Sequence, residues 1–147
     1  FKQNYNRYTA NFDSLIEFIK VGELPLINIV KDPNDTTDTK TINDTVGFVK
    51  VMDSLFKDRT NFNVETLRYI PFSDPQQEFE IQAGYIMRGG MNVPVSEVKA
   101  HYNTYLNGLD KQRIRNTAAQ RENLSKYPGM KVGSMNEASI DGNWENL

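Results

Sequence analysis

The sequence predicts an α+β fold in which an N-terminal helix packs on an antiparallel β-sheet. One segment places apolar residues at helical spacing: Phe12, Leu15, Ile16 and Ile19. Residues 79–87 alternate between apolar and polar side chains, which is the pattern of a half-buried strand. Gly89-Gly90 then supplies a two-residue turn, after which apolar residues resume at every second position, as in a hairpin.

The N-terminal segment predicts two helices separated by a turn. Residues 1–5 have helix-like aromatic spacing and begin in mid-pattern, so we expect them to be the end of a longer stem helix. A turn over 6–9 leads to a second helix at about 11–20, which Gly22 and Pro25 end. Residues 1–20 are therefore predicted to form a helical stem end and its junction with a globular head.

The rest of the chain predicts strands, with helices near the C-terminus. An apolar run at 24–30 indicates a strand, and residues 46–56 indicate another strand. Residues 31–45 between them are polar and predict an exposed loop or a long hairpin connection. Pro94 cannot donate a ladder hydrogen bond, so the second strand of the hairpin is predicted at a sheet edge. We expect this strand to lead into a short helix, a further helix at 117–126, and an irregular tail at 127–147.

Length and composition predict one globular domain over residues 1–147. The chain has 38% hydrophobic residues and a net charge of −2, which gives no electrostatic reason to bind nucleic acid. Cysteine is absent, which excludes disulfides, thiol catalysis and thiolate metal sites. No apolar run approaches the roughly 20 residues of a membrane-spanning helix.

Catalytic chemistry finds little support in the residue pattern. His101 is the only histidine, and no nucleophile motif accompanies it, so we interpret it as structural. Glu78 and Glu80 lie two apart on a strand and share one face, predicted to be the solvent face. We expect neither an enzyme nor a bound cofactor.

The polar loop allows two interpretations. Asp32, Asp35, Asp38 and Asp44 are oxygen donors within a short segment, as calcium requires, yet the loop lacks the spacing of an EF-hand. A solvated loop is the preferred interpretation, because turns favour Asp, Asn and Thr.

A local basic patch spans residues 111–126. It holds five cations against one acid, Glu122, whereas the tail is acidic at Glu137, Asp141 and Glu145. We expect the patch and the tail to pair within the molecule; contact with an acidic partner is the other possibility. The candidate partner surface consists of Tyr102, Tyr105, Arg113 and Arg115. The aromatic residues Tyr69, Phe72, Tyr102 and Tyr105 are all candidates to line such a surface, although we expect most of them in the core.

A recurring Asp-Ser/Thr pattern precedes small or apolar residues. It occurs at Asp13-Ser14, Asp35-Thr36, Asp44-Thr45 and Asp53-Ser54. The pattern resembles the O-glycosylation acceptor of exported Bacteroidota proteins, and Thr36 and Thr45 are the candidate acceptors. The alternative is that these pairs are ordinary capping and turn residues.

Two segments resemble known families. Tyr5-Asn-Arg-Tyr8-Thr9, followed by Phe12-Asp-Ser-Leu15, resembles the stem-to-head junction of type IV pilins and pseudopilins, with Asn6 where those proteins have Gly. Residues 126–134 and 142–145, with 48–56 and 67–73, resemble uncharacterised membrane-anchored envelope proteins of Bacteroidota. These resemblances imply a membrane-anchoring helix upstream of Phe1 and a domain on the far side of the membrane.

The leading functional hypothesis is a non-catalytic, pilin-like, periplasmic or extracytoplasmic domain that acts through protein contacts. Its partners would be other envelope proteins or further copies of itself. The alternative is a ligand-binding or glycan-processing envelope domain, which requires converging carboxylates in a concave site.

Overall fold

The protein is described by a computed structural model that covers residues 1–34, 36, 37 and 39–144. Short helices and antiparallel sheets confirm the predicted α+β class. The chain divides into two compact units, one formed by Phe1–Leu15 with the chain from Glu65 onward, the other by Ile16–Val64. The expected single domain remains a prediction.

The bounds of the elements are as follows. The helices of the described chain are α1 (Lys2–Tyr5), α2 (Phe12–Val21), α3 (Val51–Leu55), α4 (Tyr102–Tyr105) and α5 (Lys111–Asn123), with a 3₁₀ turn at Val64–Arg68. Its strands are β1 (Glu23–Lys31), β2 (Thr41–Lys50), β3 (Glu80–Arg88), β4 (Met91–His101) and β5 (Gly129–Gly133). None of the described helices is both long enough and apolar enough to cross a membrane.

The N-terminal segment is helix, turn and helix, as predicted. α1 ends at Asn6, whose backbone is left-handed with φ of 50°. Among non-glycine residues, Asn tolerates this conformation well, so it can end the helix there. Asn11 starts α2, because its side-chain oxygen accepts the backbone N–H of Ser14 at 3.0 Å.

The unit Ile16–Val64 contains a two-stranded ribbon. β1 and β2 pair antiparallel from Glu23↔Lys50 to Lys31↔Thr41, with a bulge after Leu26. The prediction of a loop over 31–45 is therefore wrong for 41–45, and the strand predicted over 46–56 ends at Lys50, where α3 begins. Most of β2 is exposed, so its polar residues keep their side chains in water while their backbone groups pair with β1.

The unit that contains Phe1–Leu15 holds a three-stranded sheet in the order β3-β4-β5. The predicted hairpin is confirmed: β3 and β4 pair throughout, and Gly89 and Gly90 form the turn with φ of 57° and 77°. The prediction that the strand containing Pro94 lies at a sheet edge is wrong, because this strand, β4, is the central strand. Proline is tolerated there because β5 pairs with β4 only from Glu97 onward.

The two faces of this sheet differ in chemistry. On one face Lys99 lies within 3.3 Å of Glu80 and 3.7 Å of Glu97, and Lys131 lies 3.0 Å from Glu97. The cross-strand partners Ile81, Val98 and Val132 occupy the alternate positions and form the opposite, apolar face. The N-terminal segment lies beside β4, since Lys2 and Tyr8 line a hollow with Val93–Val95.

The tail is more regular than the predicted irregular segment over 127–147. β5 lies within it, and the segment around Asn143 covers the outer edge of β5. The Asn143 side chain accepts the Lys131 N–H at 3.0 Å and donates to the Gly129 carbonyl at 2.9 Å. This closes an edge that would otherwise be open to strand addition.

Candidate protein-contact surface

A shallow apolar hollow lies at one end of the apolar sheet face. Ala100 and Met130 are cross-strand partners on β4 and β5, and Phe79, which directly precedes β3, also contributes to it. Its lining consists of Ile70, Pro71, Phe72, Phe79, Ala100, Tyr105 and Met130. We call this depression, with the Phe72 side chain beside it, the Phe72 hollow.

Phe72 is the most exposed large apolar side chain of this surface. It is 87% exposed, and its backbone has a φ of 62° in the left-handed region. A bulky residue rarely adopts this conformation, which costs on the order of 1 kcal/mol or more. Such outliers persist where the surrounding structure imposes them, and they concentrate at functional positions.

The loop that carries Phe72 is held by a set of hydrogen bonds. The Ser73 hydroxyl donates to the Ile70 carbonyl at 2.7 Å and accepts the Gln77 N–H at 2.9 Å. The Ile70 N–H donates to the Gln77 carbonyl at 2.7 Å, and the Asn107 amide donates to the Asp74 carbonyl at 2.7 Å. The exposed aromatic ring is therefore presented by an ordered loop, which lowers the entropy lost on binding.

The Ser73 hydroxyl is expected to contribute measurably to this order. Replacing Ser73 by Ala removes two hydrogen bonds and should lower the free energy of unfolding by about 1–2 kcal/mol. Chemical denaturation measures the change. Ser54→Ala, at an exposed serine in α3, is the matched control and should stay within about 0.5 kcal/mol. An equal effect of both substitutions would contradict the role assigned to Ser73.

The size and lining of the Phe72 hollow favour a protein side chain over a small molecule. Its volume is about 250 Å³, below the roughly 300–1,000 Å³ of typical ligand pockets. No charged side chain lines it, so it lacks the converging polar groups that orient a substrate. An exposed aromatic next to an apolar depression is the usual composition of a contact hot spot.

The four residues of the predicted partner surface differ in exposure: one is buried, one is half-buried and two are exposed. Tyr102 is wrong as a surface residue, because it is only 8% exposed and packs with Ile114 and Ala118. Tyr105 is half-buried, packs against this core cluster and forms one wall of the Phe72 hollow. Arg113 and Arg115 are exposed on α5, on either side of the buried Ile114.

The Tyr105 phenol is shielded enough to titrate abnormally. Burial, reinforced by Tyr102, raises the pKa of Tyr105 from 10 to about 12. The unfolded chain releases this proton first, so Tyr105 should reduce folding stability as the pH rises from 10 towards 12. The difference in ultraviolet absorbance between the wild type and Tyr105→Phe should show a titration near pH 12. A midpoint near 10 would contradict the shielded position.

The other polar residues considered for chemistry have structural partners. His101 caps α4, where its Nδ1 accepts the Asn103 N–H at 3.1 Å. Glu78 and Glu80 are exposed, as predicted, and each pairs with a cation: Glu78 with Arg68 at 3.3 Å, Glu80 with Lys99. Arg68 also pairs with Asp13, which attaches the start of α2 to this unit.

The structure describes only part of the polar loop. Thr36 and Thr45 are both exposed, so they are accessible, and their glycosylation remains a prediction. Asp35 and Asp38 lie outside the described residues. Within the described part of the chain, no group of three His, Cys, Asp or Glu residues is arranged to hold a metal ion. The Asp32 carboxylate accepts the Asn34 N–H at 2.9 Å, as in a turn.

The expected pairing of the basic patch with the acidic tail is not seen in the described residues. The Ser139 hydroxyl donates to the Asp141 carboxylate at 2.8 Å. No ion pair joins α5 to Glu137 or Asp141 in this described portion, and Glu145 lies outside it. Within the described residues, the acidic tail therefore does not neutralise the cationic side chains of α5.

Comparison with known proteins adds no family to these observations. No protein-family model, curated protein sequence or solved structure matches this chain.

Proposed function

We propose that this chain is a non-catalytic extracytoplasmic domain of a membrane-anchored cell-envelope protein. It acts through protein–protein contacts, with a pilin- or pseudopilin-like arrangement of a stem that leads into a head. Its partners are other envelope proteins or further copies of the chain. The anchor is a helix upstream of Phe1, which the resemblance of the Tyr5–Leu15 segment to a pilin junction supports.

The exposed ring of Phe72 is the observation that carries this proposal. An ordered loop holds it in a left-handed backbone conformation beside an apolar hollow. Folding alone does not favour the exposure of a large aromatic ring. A protein partner that buries the ring accounts for this exposure, while the hydrogen bonds of Ser73 hold the loop that presents it.

Site-specific photo-crosslinking in cells tests the contact. A photoreactive amino acid replaces Phe72 in the full-length protein, and, as a matched control, Leu124, an exposed Leu at the end of α5. We expect a discrete crosslinked species from position 72 and none from position 124. Equal crosslinking at both positions, or none at 72, would contradict the proposed contact.

The compartment is tested separately with the full-length gene product. A spanning anchor requires about 20 apolar residues upstream of Phe1. We expect the protein to stay in the membrane fraction after alkaline extraction and to be cleaved by protease added outside intact spheroplasts. A protease-resistant or freely soluble product would refute the anchored, extracytoplasmic location.

A further inference from the structure

We propose that a second surface, formed by the α4–α5 junction, binds an acidic segment of a partner protein that carries one apolar anchor side chain. This inference rests on the proposed contact function and adds the chemistry of the partner. The surface consists of the exposed Leu109, the buried Ile114 and the two depressions that these residues line. We call it the Leu109 surface.

Two depressions flank Leu109. The first measures about 270 Å³ and is lined by Leu106, Leu109, Asp110, Arg113, Ile114 and Thr117. The second measures about 260 Å³ and is lined by Asn103, Asn107, Gly108, Leu109, Lys111, Ile114 and Arg115. Leu109 is 62% exposed and Ile114 is 8% exposed, and both side chains line both depressions. Each depression is smaller than a typical ligand pocket.

Cations stand on the rims of both depressions. Lys111 and Arg115 line one of them and Arg113 lines the other. None of these three makes an ion pair with another residue in the described ranges. Arg115 donates to the neutral Gln112 side chain at 2.8 Å, which orients the guanidinium without neutralising it.

The single acid of this surface is engaged by the backbone. The Asp110 carboxylate accepts the Arg113 N–H at 2.7 Å and caps α5. Lys111 and Arg113, in the first turn of α5, oppose the helix dipole, and the N-cap Asp110 is the one acid beside them, because the first turn itself holds no acid. The sequence thus concentrates positive charge where it does not help folding, in a chain whose net charge is −2.

The occupant follows from this combination of charge and shape. Carboxylates on a partner are complementary to Lys111, Arg113 and Arg115, and complementary charge steers association and fixes orientation. The depression lined by Leu106, Leu109 and Ile114 suits one aliphatic or aromatic side chain from the same segment. Asn107 links this surface to the loop of Phe72 through its bond to Asp74, so one partner can reach both.

The test uses a short synthetic peptide with a central Leu flanked by Asp and Glu residues. Nuclear magnetic resonance of the labelled protein should show shifts centred on Leu109 and Ile114. Arg113→Glu should weaken binding at least about tenfold, whereas Lys57→Glu, an exposed site in the other unit with the same charge change, should not. Raising the salt from about 0.01 M to about 1 M should also weaken it, since the Debye length falls from about 30 Å to about 3 Å.

Five results would overturn the inference. The first two are an absence of binding at millimolar peptide, and binding that changes with neither the salt concentration nor Arg113→Glu. The next two are equal binding of a peptide with Ser in place of Leu, and binding to phosphatidylglycerol vesicles in place of the peptide. Self-association that Arg113→Glu abolishes would also overturn it, because the occupant would then be a second copy. Crosslinking at position 72 is independent of these outcomes, so the proposed function fails or stands separately.

Discussion

Replacing Phe72 by Ala is expected to weaken the complex with the crosslinked partner about thirtyfold, or about 2 kcal/mol, the size of a contact hot spot. The reason is the loss of an aromatic side chain that is 87% exposed in the free protein and that the partner is proposed to bury. Titration calorimetry with the purified partner measures the change. A loss below about threefold would contradict the assigned role.

Two further substitutions separate the side chain from the backbone at this position. Phe72→Gly relaxes the left-handed conformation but still removes the ring, so it should weaken the complex as much as Ala does. Phe72→Leu keeps apolar area and should retain part of the affinity. Because Phe72 contributes little to the core, Phe72→Ala should leave the free energy of unfolding within about 0.5 kcal/mol of the wild type.

Replacing Tyr102 by Ala is expected to lower the free energy of unfolding by about 3–5 kcal/mol, the range for large aromatic side chains truncated in a core. Tyr102 is buried among Ile114 and Ala118, with Tyr105 and Leu106 packed against the cluster. The truncation leaves a cavity between α4 and α5. Chemical denaturation of the purified domain measures the loss.

Tyr85 provides the matched control for this substitution. It belongs to the same unit and is 57% exposed on β3. Tyr85→Ala should therefore change the free energy of unfolding by no more than about 0.5–1 kcal/mol. If Tyr85→Ala were as destabilising as Tyr102→Ala, the position of the core described for this unit would be wrong.

The elements that the sequence predicts best are those with strong local signals. The hairpin of β3 and β4 combines alternation with Gly89-Gly90, and α2 combines helical spacing with the end signal at Gly22. Both patterns act over a few residues, so they are visible in the sequence alone. Tyr85 and Met87 belong to the apolar positions of that alternation, yet they are 57% and 69% exposed.

The elements that sequence reasoning missed depend on distant partners. Residues 41–45 are polar and resemble a loop, yet they pair with 27–31 of β1. Gly129 looks like a helix breaker, although its role is close packing: a Cβ there would lie 2.2 Å from the Ala100 carbonyl oxygen across β4 and β5. Pairing across such separations cannot be recognised from local propensity.

The candidate surface was predicted only in outline. Helical spacing places Tyr102 and Tyr105 near each other but does not tell which of them packs on α5 and which lines a hollow. Arg113 and Arg115 were identified from charge alone. Phe72 lies in a Pro-Phe-Ser-Asp-Pro segment that indicates a loop, and its positive φ results from the hydrogen bonds of Ser73 and Asn107. The sequence marks Phe72 as one of several aromatic candidates for a partner surface, but only the folded loop shows that Phe72 is exposed whereas Tyr102 is buried.

Hydrogen–deuterium exchange of this protein with and without its crosslinked partner tests the location of the contact most directly. We predict that slowed exchange on binding is concentrated in residues 70–79 and 103–109, which carry the Phe72 hollow and its neighbouring loop. The exposed β1–β2 ribbon should exchange at the same rate in the free and bound states. Slowed exchange confined to the ribbon, with residues 70–79 unchanged, would contradict the account.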